Sequence, residues 1–368
     1  PVRLRNAEVP RGAGAGQVLF LDGQGAGLAG DMLVAALADL GVPFGETAGG
    51  VAALGLPGVQ VALEAVERSA VTAPRFLVRE EGRQPMRDYR AVRRLLLGAR
   101  AFPEGARRLA LRAFQRLAQA EAAVHGVPED DVHFHEVGAV DSIVDIAAVA
   151  VALDYLGPSH IVVSPLPMGR GIVRGAAHGP LPNPAPATLG ILCAAKIPTF
   201  DAGCDFELVT PTGACLVAAA ASGSCAWPDM VPASVGYGAG TRDLTDRANL
   251  CRAVLGEPWA RGPGGGAASS AEATPLSARG LGLEQRHPKV DDHGVVLEVA
   301  VELGQVASQR IVAHPGDVLA VMLESETKVG RRLLLGQRVH DFGAPLGFVP
   351  GPQQGVVSPP PCYPVKLG

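Results

Sequence analysis

Positive charge is in short supply in this sequence. Its 32 Lys and Arg are outnumbered by 36 Asp and Glu, for a net charge of -4. A chain without a basic surface does not bind phosphate backbones well, so nucleic acid is excluded as the main partner. Paired cysteines are missing too. The six present (Cys193, Cys204, Cys215, Cys225, Cys251 and Cys362) are scattered, with no C-x-x-C. That leaves no zinc ribbon or disulfide scaffold and reads as the reduced thiols of a cytoplasmic protein. No apolar run is long enough to span a bilayer, and no signal-peptide core precedes Gln17. The chain opens on Pro1 and not on Met, so the expectation is a trimmed or misassigned start. No internal repeat is visible. Disorder is excluded by the balance of 48% hydrophobic to 18% charged residues, and 368 residues allow two or three domains.

What the chain does have is a dense run of chemistry: Val132-His133-Phe134-His135-Glu136-Val137-Gly138-Ala139-Val140-Asp141-Ser142-Ile143-Val144-Asp145. On extended backbone His133 and His135 point to one side and Phe134 to the other. On a helix Asp141 and Asp145 share a face, where two like charges are unfavourable unless a cation or buried partner compensates. The pattern suits a divalent-metal or metal-nucleotide site; a polar turn whose histidines satisfy buried backbone is the plainer reading.

Earlier, Val18-Leu19-Phe20-Leu21-Asp22 reads as a buried strand with its acid at the C-terminal edge. Gly25, Gly27 and Gly30 then spell G-x-G-x-x-G before a helix over 32–40, a loop that would let amides approach a phosphate. No lysine-threonine pair follows, so it is not a Walker loop. A dinucleotide version needs a second strand ending in an acid, for which 59–66 with Glu64 or Glu67 is the candidate. Equally, the glycines form a tight turn and Asp31 caps the helix, or Asp22 and Asp31 hold a metal at one loop mouth.

Residues 89–97 read as an amphipathic helix, and 103–124 as a long one opened by proline. A helix carrying Asp141 and Asp145 ends near Gly157-Pro158, before a β-branched strand over 160–164. The proline-rich stretch 165–188 reads as a stiff loop in which Arg170, Arg174 and His178 face either an anionic ligand or solvent. Residues 206–209 read as a strand, and Thr210-Pro211-Thr212-Gly213 as a helix start suited to an oxyanion or an ordinary cap. Residues 235–243 read as a glycine-punctuated turn, before a strand over 249–255.

The fold class expected is α/β: a mixed sheet with packed helices in a large N-terminal domain, then a small α/β C-terminal domain. The boundaries are a flexible N-terminus at 1–16, the main domain at 17–257 and a Gly/Ala/Ser-rich linker at 258–289. A degenerate C-terminal domain follows at 290–342 (strand-like 295–303, apolar 318–323), with a disordered tail at 343–368.

Several blocks in order resemble one known family. They are Leu21-Asp22 with Gly30-Asp31-Met32, the His133–Asp145 run, and Pro165-Leu166-Pro167-Met168-Gly169-Arg170-Gly171. After them come His178-Gly179 with Pro184-Ala185-Pro186-Ala187-Thr188, then Glu207-Leu208-Val209-Thr210-Pro211-Thr212-Gly213-Ala214. Val235-Gly236-Tyr237-Gly238-Ala239-Gly240-Thr241-Arg242 with Asn249 to Glu257 completes the series. Together they resemble the nickel insertion proteins of nickel-pincer cofactor biosynthesis (LarC) over residues 17–257. The resemblance implies a cytoplasmic insertase, a lyase-type cyclometallase. It would place nickel in pyridinium-3,5-bisthiocarboxylic acid mononucleotide, with CTP as co-substrate and manganese or magnesium as divalent metal. Its product would serve a cofactor-receiving enzyme such as lactate racemase, and a homo-oligomer is expected. The C-terminal part departs from the family: Lys289-Val290-Asp291-Asp292 echoes its acidic segment, but the Lys-Lys-Gly-Arg-Pro-like block that goes with CTP is missing.

With that resemblance the expected roles are as follows. His133, His135 and Glu136 handle nickel transiently, since imidazole suits nickel, while Asp141 and Asp145 with Asp22 or Asp31 hold a hard cation or orient the histidines. Glu136 or His178 removes the ring proton. Gly27, Gly30, Arg170, Arg174, Thr210 and Thr212 bind the nucleotide substrate. Two rival readings stand beside this one: a Rossmann-type dinucleotide enzyme, and a nickel chaperone without catalysis.

Overall fold

The computed structural model describes residues 2–82, 85–132, 134, 140–175 and 179–259, and beyond them the backbone of five short strands (283–285, 289–291, 294–301, 309–313 and 363–364). They fall into two units, Pro1–Ala260 with Val357–Gly368, and Arg261–Val356.

The first unit is built on Val18–Asp22 (β1), an apolar run ending in an acid and buried at every residue. A strand so apolar has to be covered on both faces and both edges. Met230–Ala239 (β10) and Leu250–Pro258 (β11) lie antiparallel to one side, with β11 against β1. His160–Val163 (β4) runs parallel on the other side, followed by the two-residue β9 (Gly223–Ser224). The order is β10-β11-β1-β4-β9, with β16 (Tyr363–Pro364) outside β9. Side chains alternate as the pleat requires. Leu19 and Leu21 join the large helical core, while Val18 and Phe20 pack with Val162, Cys225, Met230 and Val254 on the other face.

The helices of the large core are α1 (Gly30–Asp39), α2 (Phe44–Ala52), α4 (Glu104–His125), α5 (Val140–Leu156), α6 (Pro186–Ala195) and α7 (Pro211–Ala220), with α3 (Tyr89–Gly98) outside α4. α5 is apolar on nearly every side, as a helix surrounded by protein must be, and it packs on α1, α2, α4 and α7. α4 is amphipathic over 22 residues and stops where Gly126 takes the left-handed conformation. Among the described residues no helix is long and apolar enough to cross a membrane.

α1 lies very close to β10. A Cβ on Gly238 would sit 1.8 Å from the Met32 carbonyl oxygen, and one on Gly236 would sit 2.2 Å from that of Ala36. These glycines therefore belong to a strand, not to the turn expected over 235–243; a glycine within a strand marks a close backbone approach.

Other expectations are corrected in the same way. Residues 59–66 do form a strand, β2 (Val59–Arg68), but it pairs antiparallel with β3 (Val71–Glu80) as a separate hairpin. A Rossmann site needs a second strand parallel to the first in one sheet, so the dinucleotide reading fails on topology. Residues 206–209 are not a strand. They run beside the glycine loop, with one bridge from Leu28 to Val209. The proline-rich stretch holds β5 (Leu166–Met168) parallel to β8 (Thr199–Asp201), and a hairpin of β6 (Ile172–Gly175) with β7 (Gly179–Pro182).

The opening residues, expected to be flexible, are tied down. Arg5 reaches the buried carboxylate of Asp39, Val9 N–H bonds the Gly41 carbonyl, and Gly12 N–H bonds that of Tyr155. Tyr363–Pro364, inside the tail expected to be disordered, pairs with β9. In the second unit β12 (Leu283–Gln285), β13 (Lys289–Asp291) and β15 (Gln309–Ala313) all pair antiparallel with β14 (Gly294–Val301). The stretch 318–323 lies outside the described residues.

The α1–β10 contact makes a sharp prediction. Gly238→Ala should cost about 3 kcal/mol through overpacking. Gly45→Ala, on α2 with nothing within 4 Å of its added Cβ, should stabilise by about 0.5 kcal/mol. Chemical denaturation of both variants checks the contrast.

Candidate functional site

α1 begins without a cap of its own. Its N-cap position is Ala29, which has no side-chain oxygen to satisfy the first amides. The missing acceptor comes from α5: the Asp145 carboxylate takes the Asp31 backbone N–H. This works because residue 30 is glycine, since an added Cβ would lie 2.6 Å from Asp145 Cβ and 2.8 Å from its Oδ2. Asp141, one turn earlier on the same face of α5, is exposed and accepts a hydrogen bond from Glu80 at the end of β3 when that carboxyl is protonated. Four carboxylates from three elements thus gather in two pairs, Asp31 with Asp145 and Asp141 with Glu80.

No Lys or Arg forms an ion pair with any of the four among the described residues; Arg75, which lowers the Asp31 pKa from a distance, is itself bound to Glu64. Their acidities reflect this. Asp145 is pushed well above the usual carboxylate range, first by desolvation, then by the charges of Asp31 and Asp141. Desolvation also raises Asp31 and Asp141, and Glu80 is raised by desolvation and by Asp141. Asp31 Oδ1 accepts the Met32 N–H at 2.8 Å, and Oδ2 faces the Thr241 hydroxyl at 3.5 Å. Buried thiols do not join them: Cys251 Sγ donates to the Met32 carbonyl, and burial pushes its pKa up, with Asp31 and Asp22 adding to the effect.

Asp31 also lines a cavity of about 190 Å³. Its polar wall carries Glu207, Thr210, Thr241, Arg242 and Asn249; its apolar wall is Ala26, Ala29, Met32, Leu208 and Leu244. Gly240 and Thr241 are held from behind by Arg68, whose guanidinium donates to both carbonyls.

The other expected site residues are distributed as follows. Asp22 is turned to Arg252, which donates through Nε at 2.8 Å and stacks over Trp227, and to the Gln24 amide. It is thereby engaged away from the Asp31 pair. The glycine loop uses its amides internally: Gly27 N–H bonds Gly23, and Leu28 N–H bonds the Leu208 carbonyl. Gly27 is required because its φ is +89° and a Cβ would fall 1.8 Å from Leu208 O. Gly27 and Gly30 therefore serve close packing, of the 208–213 segment and of Asp145. Arg170 is exposed and forms a two-point pair with Asp201, whose carboxyl it holds down at about 2. Thr210 caps α7 by accepting the Gly213 N–H, and its hydroxyl meets that of buried Thr212 at 2.8 Å; of the two, Thr210 lines the cavity.

Phe134 is buried against Tyr89 and Phe114, the inward direction its alternation required. His133, His135, Glu136 and His178 lie outside the described residues, as does the Arg174 side chain. No cage of three or more His, Cys, Asp or Glu forms among the described residues. Glu80, Thr241, Arg242 and Asn249 were not singled out as site residues from the sequence. Thr241, Arg242 and Asn249 fall in the last family block and could have been found there, whereas no local signal marks Glu80.

The first unit is thus an α/β scaffold that gathers carboxylates without a Lys or Arg ion pair among the described residues, one of them at the wall of a cavity. The chain belongs to the nickel insertion protein family: the family profile described as "Nickel insertion protein" matches residues 19–302. It is 40% identical over 333 residues to a protein of Geobacter sp. (strain M21), covering 85% of this chain and 83% of the relative. It is 46% identical over 243 residues to one of Geotalea daltonii, covering 66% and 61%. A protein of Geobacter metallireducens is 47% identical over 234 residues, covering 63% and 59%. Each carries the name "Putative nickel insertion protein". No solved structure matches the chain.

The raised carboxylates imply a pH dependence of stability. A carboxyl whose folded pKa lies above its unfolded value binds more protons in the native state. Its contribution is therefore greatest at low pH and is lost as pH rises from the usual Asp value of 3.8 through the raised one. In chelator-treated protein, Asp145→Asn should flatten this decline. Melting temperatures of both forms from about pH 5 to about pH 8 provide the check.

Proposed function

We propose that this protein inserts nickel into pyridinium-3,5-bisthiocarboxylic acid mononucleotide, making the nickel-pincer nucleotide. The observation that carries the reading, beyond family membership, is the Asp31–Asp145 pair: two carboxylates close together, without a Lys or Arg ion-pair partner among the described residues, of which Asp31 lines a cavity. Hard oxygen donors of this kind fit manganese or magnesium, and such an ion would supply charge to offset the pair and an anionic substrate. Asp31 and Asp145 are the residues that would hold it, with Asp141 and Glu80 beside them.

Nickel is the cargo. His133, His135 and Glu136 belong to the segment that joins Val132, whose carbonyl accepts the Tyr89 N–H, to Val140 at the start of α5. That tether keeps the segment within a few residues of Asp141. Imidazole nitrogens suit nickel better than the carboxylates do, and an incomplete ligand set permits release. Glu136 or His178 takes the proton from the ring carbon that nickel replaces. In the family CTP is the co-substrate with its site in the C-terminal region, and this chain lacks the Lys-Lys-Gly-Arg-Pro-like block there, so CTP dependence is left to the assay. The product passes to a cofactor-receiving enzyme.

Asp31→Asn and Asp145→Asn should each slow nickel insertion at least about tenfold, as loss of a metal-orienting group does. His133→Ala with His135→Ala should abolish it. The assay is nickel incorporation into the mononucleotide, with and without CTP. Continued metallation by the double histidine variant would sink the assignment of roles, and stoichiometric nickel binding without any turnover would leave only a chaperone.

A further inference from the structure

We propose that the cavity beside Asp31 binds a zwitterionic ring compound, with a cationic heteroaromatic ring inside and an anionic group of the phosphate type on Arg242 at its mouth. This deepens the nickel-insertion reading and rests on it for the nature of the ring.

The cavity is divided by charge and polarity. Met32, Leu208 and Leu244 are buried and give it an apolar interior, and Glu207 adds a carboxylate that is not part of the proposed metal pair. Such a lining favours a flat ring that carries positive charge. Thr241 and Arg242 are exposed at the opening. Nearby arginines are already matched: Arg75 with Glu64, Arg170 with Asp201, Arg247 with Asp246 and Arg252 with Asp22. Arg242 has no such carboxylate among the described residues, and a guanidinium with all its donors available is well suited to phosphate.

The segment that presents Arg242 is braced from behind. Gly240 N–H bonds the Asn249 carbonyl at 3.0 Å, and Asn249 Nδ2 returns a bond to the Arg242 carbonyl at 2.9 Å. Arg68, only 8% exposed, donates to the Glu67, Gly240 and Thr241 carbonyls, and its Nε has no partner. A guanidinium enclosed this way, with carbonyls and no carboxylate around it among the described residues, keeps the wall electropositive. It is the last β2 residue, before a tight turn where Ser69 and Ala70 hold φ of +46° and +63°. Two non-glycine residues in that region store strain, which the surrounding packing has to sustain. Arg68 is therefore a positioning residue for Arg242 and Thr241, and Arg242 is the contact residue.

The test is calorimetric titration of the full chain with three probes. Nicotinamide mononucleotide has a cationic ring and a phosphate, nicotinamide riboside lacks the phosphate, and uridine monophosphate lacks the cationic ring. Nicotinamide mononucleotide should bind most tightly. Arg242→Gln should weaken it at least about tenfold, to the level of the riboside, as loss of a charge-assisted contact does. Glu207→Gln should narrow its margin over uridine monophosphate. Arg68→Lys should retain binding that Arg68→Met loses; should the Met variant fail to fold, the exposed Arg242→Gln still decides. Equal binding by wild type and Arg242→Gln, loss with Arg170→Gln instead, or no preference for the cationic ring overturns the assignment. A flat titration by protein that still inserts nickel refutes the cavity assignment and leaves the insertion reading standing. Mononucleotide binding that depends on Arg242, in protein that never inserts nickel, refutes that reading and leaves the cavity assigned.

Discussion

The Asp145 carboxylate at the start of α1 is the contact on which most of this architecture turns. It satisfies an amide that α1 cannot cap for itself, and it does so across a gap that only a glycine at position 30 leaves open. It also joins the helix after β1 to the central helix α5. The arrangement has a cost, because Asp145 is desolvated beside a second acid. A stabilising cap and an unfavourable charge pair are thus the same group, and a bound cation would relieve the second without loss of the first.

Close backbone approach recurs around this contact. Gly27 admits the Leu208 carbonyl, Gly213 admits that of Leu28, and Gly236 and Gly238 admit the turns of α1. Each removes a Cβ where two elements must nearly touch. The glycine loop after β1, which on paper has the spacing of a phosphate cradle, is consumed by this packing. The anion contact we propose lies on the Gly240–Arg242 segment, whose carbonyls Arg68 and Asn249 bond.

Much of the fold was legible in the chain. The apolar run at 18–22, the proline-opened helix α4 and the apolar α5 are local patterns, and the structure places them within a residue or two of where periodicity put them. The Asp141/Asp145 stripe also survived, because four residues make about one turn whatever surrounds the helix. Residues 235–243 were misread, since glycine signals a turn and a close-packed strand alike. Residues 206–209 were misread because an apolar stretch can lie along a loop through a single bridge. Arg170 seemed available to a ligand until Asp201, thirty-one positions away, was seen to take it.

The sequence by itself determined the local elements, the family and the residue types available for metal and nucleotide chemistry, since these depend on neighbours along the chain. Only the tertiary structure decided what each acid meets: Asp31 with Asp145, Asp141 with Glu80, and Asp22 with Arg252. The reason is physical. Spacing within a helix or strand follows from backbone geometry, whereas the meeting of two carboxylates from different elements depends on how closely those elements pack. Here that closeness rests on single missing methyl groups, and a missing methyl reads in the sequence as one glycine among 47.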